Sequence, residues 1–247
     1  MIRWLTGFID RPNDSFDSAV AFWMAITQST LSTRRGSEGE FATLLPADGD
    51  AFLRVQRVKE GGGCHLDAHV DDVDEFIGRA AEAGAEIHAG APVTVRSPSG
   101  FDCCVVEHHG ESARPKPVLL PTGTMHLVDQ LSIDIPGDRF DDECRYWAAI
   151  TGWELRRSAV RDEYRYLERP AEMPLRLLLQ RRDDQDGCAR GHLDLAADDV
   201  TEVVGLHRSL GARVHSIFEH WTTMLDPAGF PYCVTSRDPR TGALGPG

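Results

Sequence analysis

The feature that most narrows the folds open to this chain is an internal repeat. FIDRPNDSFDSAVAFWMAIT, from Phe8, aligns without a gap to SIDIPGDRFDDECRYWAAIT, from Ser132, and sets Asp10 against Asp134, Phe16 against Phe140 and Trp23 against Trp147. The same shift of 124 carries Gln56 in LRVQR onto Gln180 in LLLQR. Further along, HLDAHVDDVDEFIGRAAEAGAEIH from His65 matches HLDLAADDVTEVVGLHRSLGARVH from His192, and SPSGFDCCV meets DPAGFPYCV, the shift growing to 127 and then 129. Small loop insertions explain the drift. Between the copies GESARPKPVLLPTGT, with three prolines and no apolar periodicity, reads as a linker. The expected organisation is a first domain at 1–110, a linker at 111–124, a second domain at 125–240 and a flexible tail at 241–247. The closing SRDPRTGALGPG, rich in Gly and Pro, is expected to be loosely ordered and without function.

Each copy divides again. Its first half opens on an alternating segment (WLTGFID, DQLSIDI) and continues into a helix whose apolar residues Phe16, Val20, Trp23 and Ile26 recur at three- and four-residue spacing. Strands such as AFLRVQRV close it. The second half starts on the alternating HLDAHV. Asp72 suits an N-cap with Glu75 three residues on, and Gly84 ends the helix; Asp199, Glu202 and Gly211 take the same places in the other copy. Four β-α-β-β-β units in series are the economical reading, an α+β fold.

Composition excludes several partners. A net charge of -13 over 247 residues disfavours nucleic acid and anionic membrane surfaces, since the basic clusters are only pairs such as Arg34 and Arg35. The six cysteines, Cys64, Cys103, Cys104, Cys144, Cys188 and Cys233, show no CxxC spacing and suit a reduced compartment. Met1 leads straight into an alternating segment, and no uncharged run reaches membrane-spanning length, so the expected location is the cytoplasm.

The pattern resembles the vicinal oxygen chelate superfamily, the group of glyoxalase I, the bleomycin-resistance proteins and the extradiol dioxygenases. FDSAVAFWMAITQ and FDDECRYWAAITGWEL carry the resemblance for the first-unit helix, the two HLD segments for the second unit, and DPAGFPYCV for the closing turn and strand. The resemblance spans nearly the whole chain, twice. It implies two cup-shaped mixed sheets with helices outside, and a small-molecule ligand. It leaves open which half-domains pair and whether the chain forms a homodimer.

Within such cups, strand alternation turns Leu66, Ala68 and Val70 toward the helix and leaves His65, Asp67 and His69 on the concave side; in the second copy His192, Asp194 and Ala196 take that side. The family's metal enzymes draw ligands from four strand positions. Carried over one by one, the unit-two histidine falls on His65 and His192, the unit-one opening position on or near Thr6 and Gln130, and the unit-one closing position near Gln56 and Gln180. The unit-two closing position falls on Cys104 and Cys233. Neutral Gln is a poor ligand for a divalent cation, so no metal is assigned to the family's usual set, although zinc, iron, nickel or manganese stays open. A different trio, His-x-Asp with a cysteine, could supply nitrogen, oxygen and sulfur to zinc; equally, the Asp could orient the histidine in a polar pocket floor.

Two functions follow from these residues. The first is a binding module that holds a small organic molecule in a cup, through Gln130, Gln180, Trp221 and His220 in the second copy and His65, Asp67, Gln56 and Cys104 in the first. The second is a glyoxalase- or dioxygenase-type enzyme (lyase, isomerase or oxygenase) with His192, Asp194 and Cys233 as catalytic residues, Cys233 as a nucleophile needing His192 as its base. The second copy is favoured as the working one, because it keeps the acidic residue of DPAG and adds Trp221.

Overall fold

A computed structural model describes residues 1–159 and 161–244. The first copy runs β1 (Ile2–Pro12), α1 (Phe16–Thr27), β2 (Thr30–Leu31), β3 (Phe41–Leu45), β4 (Leu53–Val58), β5 (Gly63–Val70), α2 (Val73–Glu82), β6 (Glu86–His88), β7 (Val93–Arg96) and β8 (Asp102–Glu107). After a short β9 (Val118–Leu119), the second copy runs β10 (Met125–Ile135), α3 (Phe140–Thr151), β11 (Glu154–Arg157), β12 (Tyr164–Glu168), β13 (Arg176–Arg181), β14 (Arg190–Ala197), α4 (Val200–Ser209), β15 (Arg213–Ile217), β16 (Trp221–Leu225) and β17 (Pro231–Thr235).

Each copy builds one open sheet, ordered β2-β3-β4-β1-β5-β8-β7-β6 in the first and β11-β12-β13-β10-β14-β17-β16-β15 in the second. The two orders are the same once the second set is matched to the first. Both sheets are mixed: β5–β8 and β14–β17 run parallel, while the flanking hairpins are antiparallel. This is the tandem β-α-β-β-β arrangement that the repeat predicts.

The helix boundaries follow the expected chemistry. The Asp72 carboxylate accepts from the Glu75 backbone N–H at 2.9 Å, and Asp199 from that of Glu202 at 2.9 Å, satisfying donors that a first turn leaves orphaned. Gly84 and Gly211, each at φ +99°, hold the left-handed residue just past the helix end, a conformation that only glycine adopts without strain.

The chain divides into two compact units along a different line from the repeat. Unit 1 is Met1–Gly7, Cys64–Ser112 and Leu131–Gly191; unit 2 is Phe8–Gly63, Ala113–Gln130 and His192–Gly247. Each unit therefore joins the second half of one copy to the first half of the other. In unit 1, α2 packs on α3. In unit 2, Phe22 of α1 meets His207 of α4 edge-on at 5.7 Å.

A buried carboxylate anchors the core of each unit. In unit 2, Asp226 accepts from the Arg11 Nε at 2.7 Å, from the Trp23 indole N–H at 3.2 Å, and from the Ala228 and Phe230 backbone N–H groups at 3.0 Å. In unit 1, Glu143 accepts from the Trp147 indole at 2.8 Å and from the Ser99 N–H at 2.9 Å. The acidic residue of DPAG thus ties a helix to a turn, and Glu143 does that work for SPSG. Its retention does not mark the second copy as the working one.

Two segments expected to be unstructured are ordered in part. The linker adds β9 to β10 through Met125↔Leu119 and His126↔Val118, its prolines falling outside that strand. In the SRDPRTGALGPG tail, the Ser236 N–H donates to the His220 carbonyl at 2.9 Å and Asp238 to that of Ala243 at 2.7 Å, while Arg237 is buried. A buried cation, Arg237, holds the start of this stretch. Residues 245–247 of the tail at 241–247 lie outside the described residues. Among the described residues no helix is long and apolar enough to cross a membrane, and all six cysteines are free.

Candidate functional site

In unit 2, β14 alternates as expected: Leu193, Leu195 and Ala197 pack into the core, and His192 and Asp194 share the opposite face. Parallel pairing places Asp194 opposite Cys233, and antiparallel pairing places Thr223 opposite Cys233 and Trp221 opposite Thr235. Directly opposed residues share a face, so His192, Asp194, Cys233, Thr223, Trp221 and Thr235 all project to one side. One ligand atom each from His192, Asp194 and Cys233 lies within 4.8 Å of the other two. The His192 Nε2 stands 3.3 Å from the Asp194 Oδ1, and Thr223 Oγ1 is 3.6 Å from the Cys233 sulfur.

Behind this trio lies a chain of buried polar groups. Gln130 donates from its amide nitrogen to the Asp194 Oδ2 and accepts at Oε1 from Arg237, whose other terminal nitrogen ion-pairs with Asp129. Arg237 is 5% exposed and Asp129 fully buried. Such a network fixes the orientation of Asp194 and leaves its Oδ1 turned to His192. Burial, then the adjacent Asp194, push the Cys233 thiol above its ordinary range, with His192 pulling the other way. A protonated, buried thiol is not the thiolate that a nucleophile requires, so the geometry gives the Cys233 nucleophile no support.

Unit 1 repeats the trio with a different surround. Asp67 lies opposite Cys104 in the parallel β5–β8 pair, the His65 Nε2 is 3.9 Å from the Asp67 Oδ1, and Thr94 Oγ1 is 3.5 Å from the Cys104 sulfur. His65, Asp67 and Cys104 again bring three ligand atoms within 4.8 Å of one another. Here His65 and Cys104 are half-buried, whereas His192 and Cys233 are buried. The Thr6 hydroxyl bonds to the His69 Nε2 at 2.9 Å instead of reaching the trio's Asp, and Glu111 stands 3.6 Å from both His69 and His108. Burial raises the Glu111 carboxyl, but its own backbone N–H, His69, the His109 N–H and His108 outweigh that and hold it below the usual carboxylate range.

The remaining expected site residues are scattered. Gln56 sits on β4 opposite Phe41, and Gln180 on β13 opposite Tyr164; each lies in the compact unit that does not hold its own copy's trio. Trp221 stacks on Phe218 with ring centroids 4.5 Å apart, at the edge of the shared face. His220 enters through its carbonyl, which accepts from the Ser236 backbone and hydroxyl. Asp129 and Arg237 were missed. Arg237 continues the alternation Cys233, Thr235, Arg237 past the end of β17, a signal obscured by the Gly- and Pro-rich tail that follows. A cavity of about 180 Å³ at the end of α1, beneath the linker, shares no lining residue with either trio.

The family's four-ligand metal site does not fit these residues. Gln130 has its only ligand oxygen engaged by a guanidinium, and Gln180 belongs to unit 1. Neither amide brings the negative charge that a hard or borderline cation draws on.

Comparisons with known proteins agree with the fold. The family model described as the glyoxalase-like domain matches residues 8–106 and 130–235. Among solved structures, the 2,2',3-trihydroxybiphenyl 1,2-dioxygenase of Sphingomonas wittichii strain RW1 is similar at 15% identity and a TM-score of 0.62, over 95% of this chain and 90% of that one. The Mn(II)-bound glyoxalase of Novosphingobium aromaticivorans is similar at 16% identity and a TM-score of 0.58, over 98% and 83%. A xylose isomerase-like TIM barrel/4-hydroxyphenylpyruvate dioxygenase fusion protein is covered over 49% of its length by the whole of this chain, at 12% identity and a TM-score of 0.60; this chain spans about half of that protein. None of the curated proteins compared matches the sequence. At these identities the solved structures speak for the fold alone, and the family match, which covers most of the chain in two segments, identifies it as a tandem member of the glyoxalase-like domain family within the vicinal oxygen chelate superfamily.

Proposed function

We propose that this chain is a glyoxalase-like binding protein that holds a small organic molecule against the shared face of β14, β16 and β17, without the four-ligand metal set of the family's enzymes. The observation that carries this reading is the state of Gln130. At a position where the family's enzymes place a metal ligand stands an amide whose oxygen and nitrogen are both committed, to Arg237 and Asp194. The result is a pre-oriented polar floor, with Trp221 as an aromatic wall beside it, the usual composition of a small-molecule site. A thermal-shift screen of small organic acids and phenols tests it. A ligand present at about 100 times its Kd stabilises the native state by about 2.7 kcal/mol, and Trp221→Ala and His192→Ala should each abolish most of the shift. If no compound stabilises the wild type, the reading fails.

A second reading, a lyase, isomerase or oxygenase, is favoured by the contact between His192 Nε2 and Asp194 Oδ1 at 3.3 Å, which suits an oriented acid–base histidine. Turnover of a ligand found in the screen, lost in His192→Ala and kept in Cys233→Ser, would select it over simple binding.

A further inference from the structure

We infer that unit 2 holds a second ligand site outside the cup, in the cavity between the end of α1, the β3–β4 hairpin, the start of β10 and the linker. Its ligand is a neutral, compact hydrocarbon with one hydroxyl group, which donates to His126 Nδ1. The inference does not rest on the cup-binding reading, because no residue lining this cavity belongs to the face of β14, β16 and β17.

Three observations carry it. The first is the space and its walls. The cavity holds about 180 Å³, and Ile26, Leu44, Phe52, Leu53, Leu127 and Val128, each at most 5% exposed, supply its apolar lining. Protein interiors leave few voids larger than a water molecule, and a void of this size lowers stability unless something fills it. An apolar cavity of about 150 Å³ admits benzene, so this one has room for a six-membered ring with one substituent.

The second is a buried acceptor without a donor. His126, 1% exposed, lines the cavity, and its Nε2 lies 2.7 Å from the Ile26 carbonyl oxygen. A carbonyl only accepts, so Nε2 carries the hydrogen and Nδ1 presents a lone pair. Burial holds the imidazole below its ordinary pKa, with the Ile26 carbonyl opposing in part, so the ring is uncharged at neutral pH. The Nδ1 atom is buried and meets no hydrogen-bond partner among the described residues. A buried acceptor left unmet costs more than an ordinary hydrogen bond gains, and a ligand hydroxyl satisfies it.

The third is the charge at the rim. Lys116 and Asp48, with side chains 76% and 48% exposed, mark the solvent side of the cavity, and their charged atoms stand 2.6 Å apart. The pair neutralises itself and the imidazole is uncharged, so an ionised ligand would lose its water without gaining a partner. Two further bonds tie the linker beside the cavity: the Asp50 N–H donates to the Ala113 carbonyl at 2.7 Å, and the Ala113 N–H to the Asp50 carboxylate at 2.8 Å.

Cyclohexanol and cyclohexanone are the probes, nearly equal in size, of which only the alcohol donates a hydrogen bond. Isothermal titration of the full-length protein should show cyclohexanol binding about fivefold to tenfold more tightly than the ketone. Amide shifts in the NMR spectrum should fall at residues 26–29 and 118–128 and spare 192–194. His126→Leu should erase the preference for the alcohol. Val118→Trp, at the β9 position paired with His126, should block both probes, and Trp221→Ala should leave both unchanged. If a variant fails to fold, the preference and the shift map of the wild-type protein still decide. The inference is overturned if cyclohexanol does not bind, if the ketone binds as tightly, or if Trp221→Ala abolishes binding, which would assign the alcohol to the cup.

Discussion

The two copies carry the same trio in different shells. Around His192, Asp194 and Cys233 the neighbours are buried and joined: Gln130 holds Asp194, Arg237 holds Gln130, and Asp129 holds Arg237. Around His65, Asp67 and Cys104 the groups at the matching positions turn elsewhere, Thr6 to His69 and His108 to the Glu111 carbonyl at 2.8 Å. The repeat therefore preserves the groups that converge on one point, while the surrounding residues set how rigidly they are held and how much water reaches them. The same contrast holds for the anchors, where a turn carboxylate in unit 2 and a helix carboxylate in unit 1 each bind a tryptophan indole.

The anchors should give the largest effect. Asp226→Ala leaves the Arg11 guanidinium, 1% exposed, with its buried ion pair broken and should cost about 3–5 kcal/mol in denaturant unfolding. Glu143→Ala orphans two neutral N–H donors but no buried charge and should cost less, about 1–3 kcal/mol in all. Equal losses would mean that the Arg11 charge adds nothing to the difference between the units.

Next comes the shell of the trio. Arg237→Ala removes the ion pair of the buried Asp129 carboxylate with Arg237 and should also approach about 3 kcal/mol, whereas its counterpart His108→Ala, half-buried and bonded to a carbonyl, should cost about 1 kcal/mol or less. Similar values for the two would erase the distinction between the Arg237 and His108 surrounds of the two trios.

At neutral pH the smallest effect is a difference in acid response, which grows only as the pH falls. His207, against Tyr232 and Phe22, occupies the position that Ala80 holds in the first copy. Burial, then the neighbouring His126, lower its pKa to about 3. The unfolded chain takes up this proton below about 6.5 and the native state does so only near 3, so stability falls as pH drops through that window, by up to about 1.4 kcal/mol per pH unit. His207→Leu should flatten this part of the stability–pH curve, and an unchanged slope would place the acid sensitivity elsewhere.

Much of the fold was legible because periodicity and capping are local. Asp72 and Asp199 cap their helices, Gly84 and Gly211 end them, and Leu66, Ala68 and Val70 face inward as their alternation requires. The trio was also legible, since His-x-Asp lies on one strand face and the cysteine on the strand that closes its unit. Its buttress was not. Arg237 sits beyond the last strand in a stretch whose Gly and Pro content suggests disorder, and only its approach to Gln130 and Asp129, more than a hundred positions away in the chain, reveals a buried charge.

What the sequence determined by itself is the repeated unit: which residues lie on which face, where helices start and stop, and which three side chains per copy carry metal-type donors. All of these depend on neighbours within a few residues. What only the tertiary structure decided is the exchange of half-domains between copies, the carboxylates that anchor each unit, and the commitment of Gln130 to Arg237 instead of a metal. The physical reason is that a buried charge must find its partner wherever the folded chain brings one, and that partner need not be near in sequence.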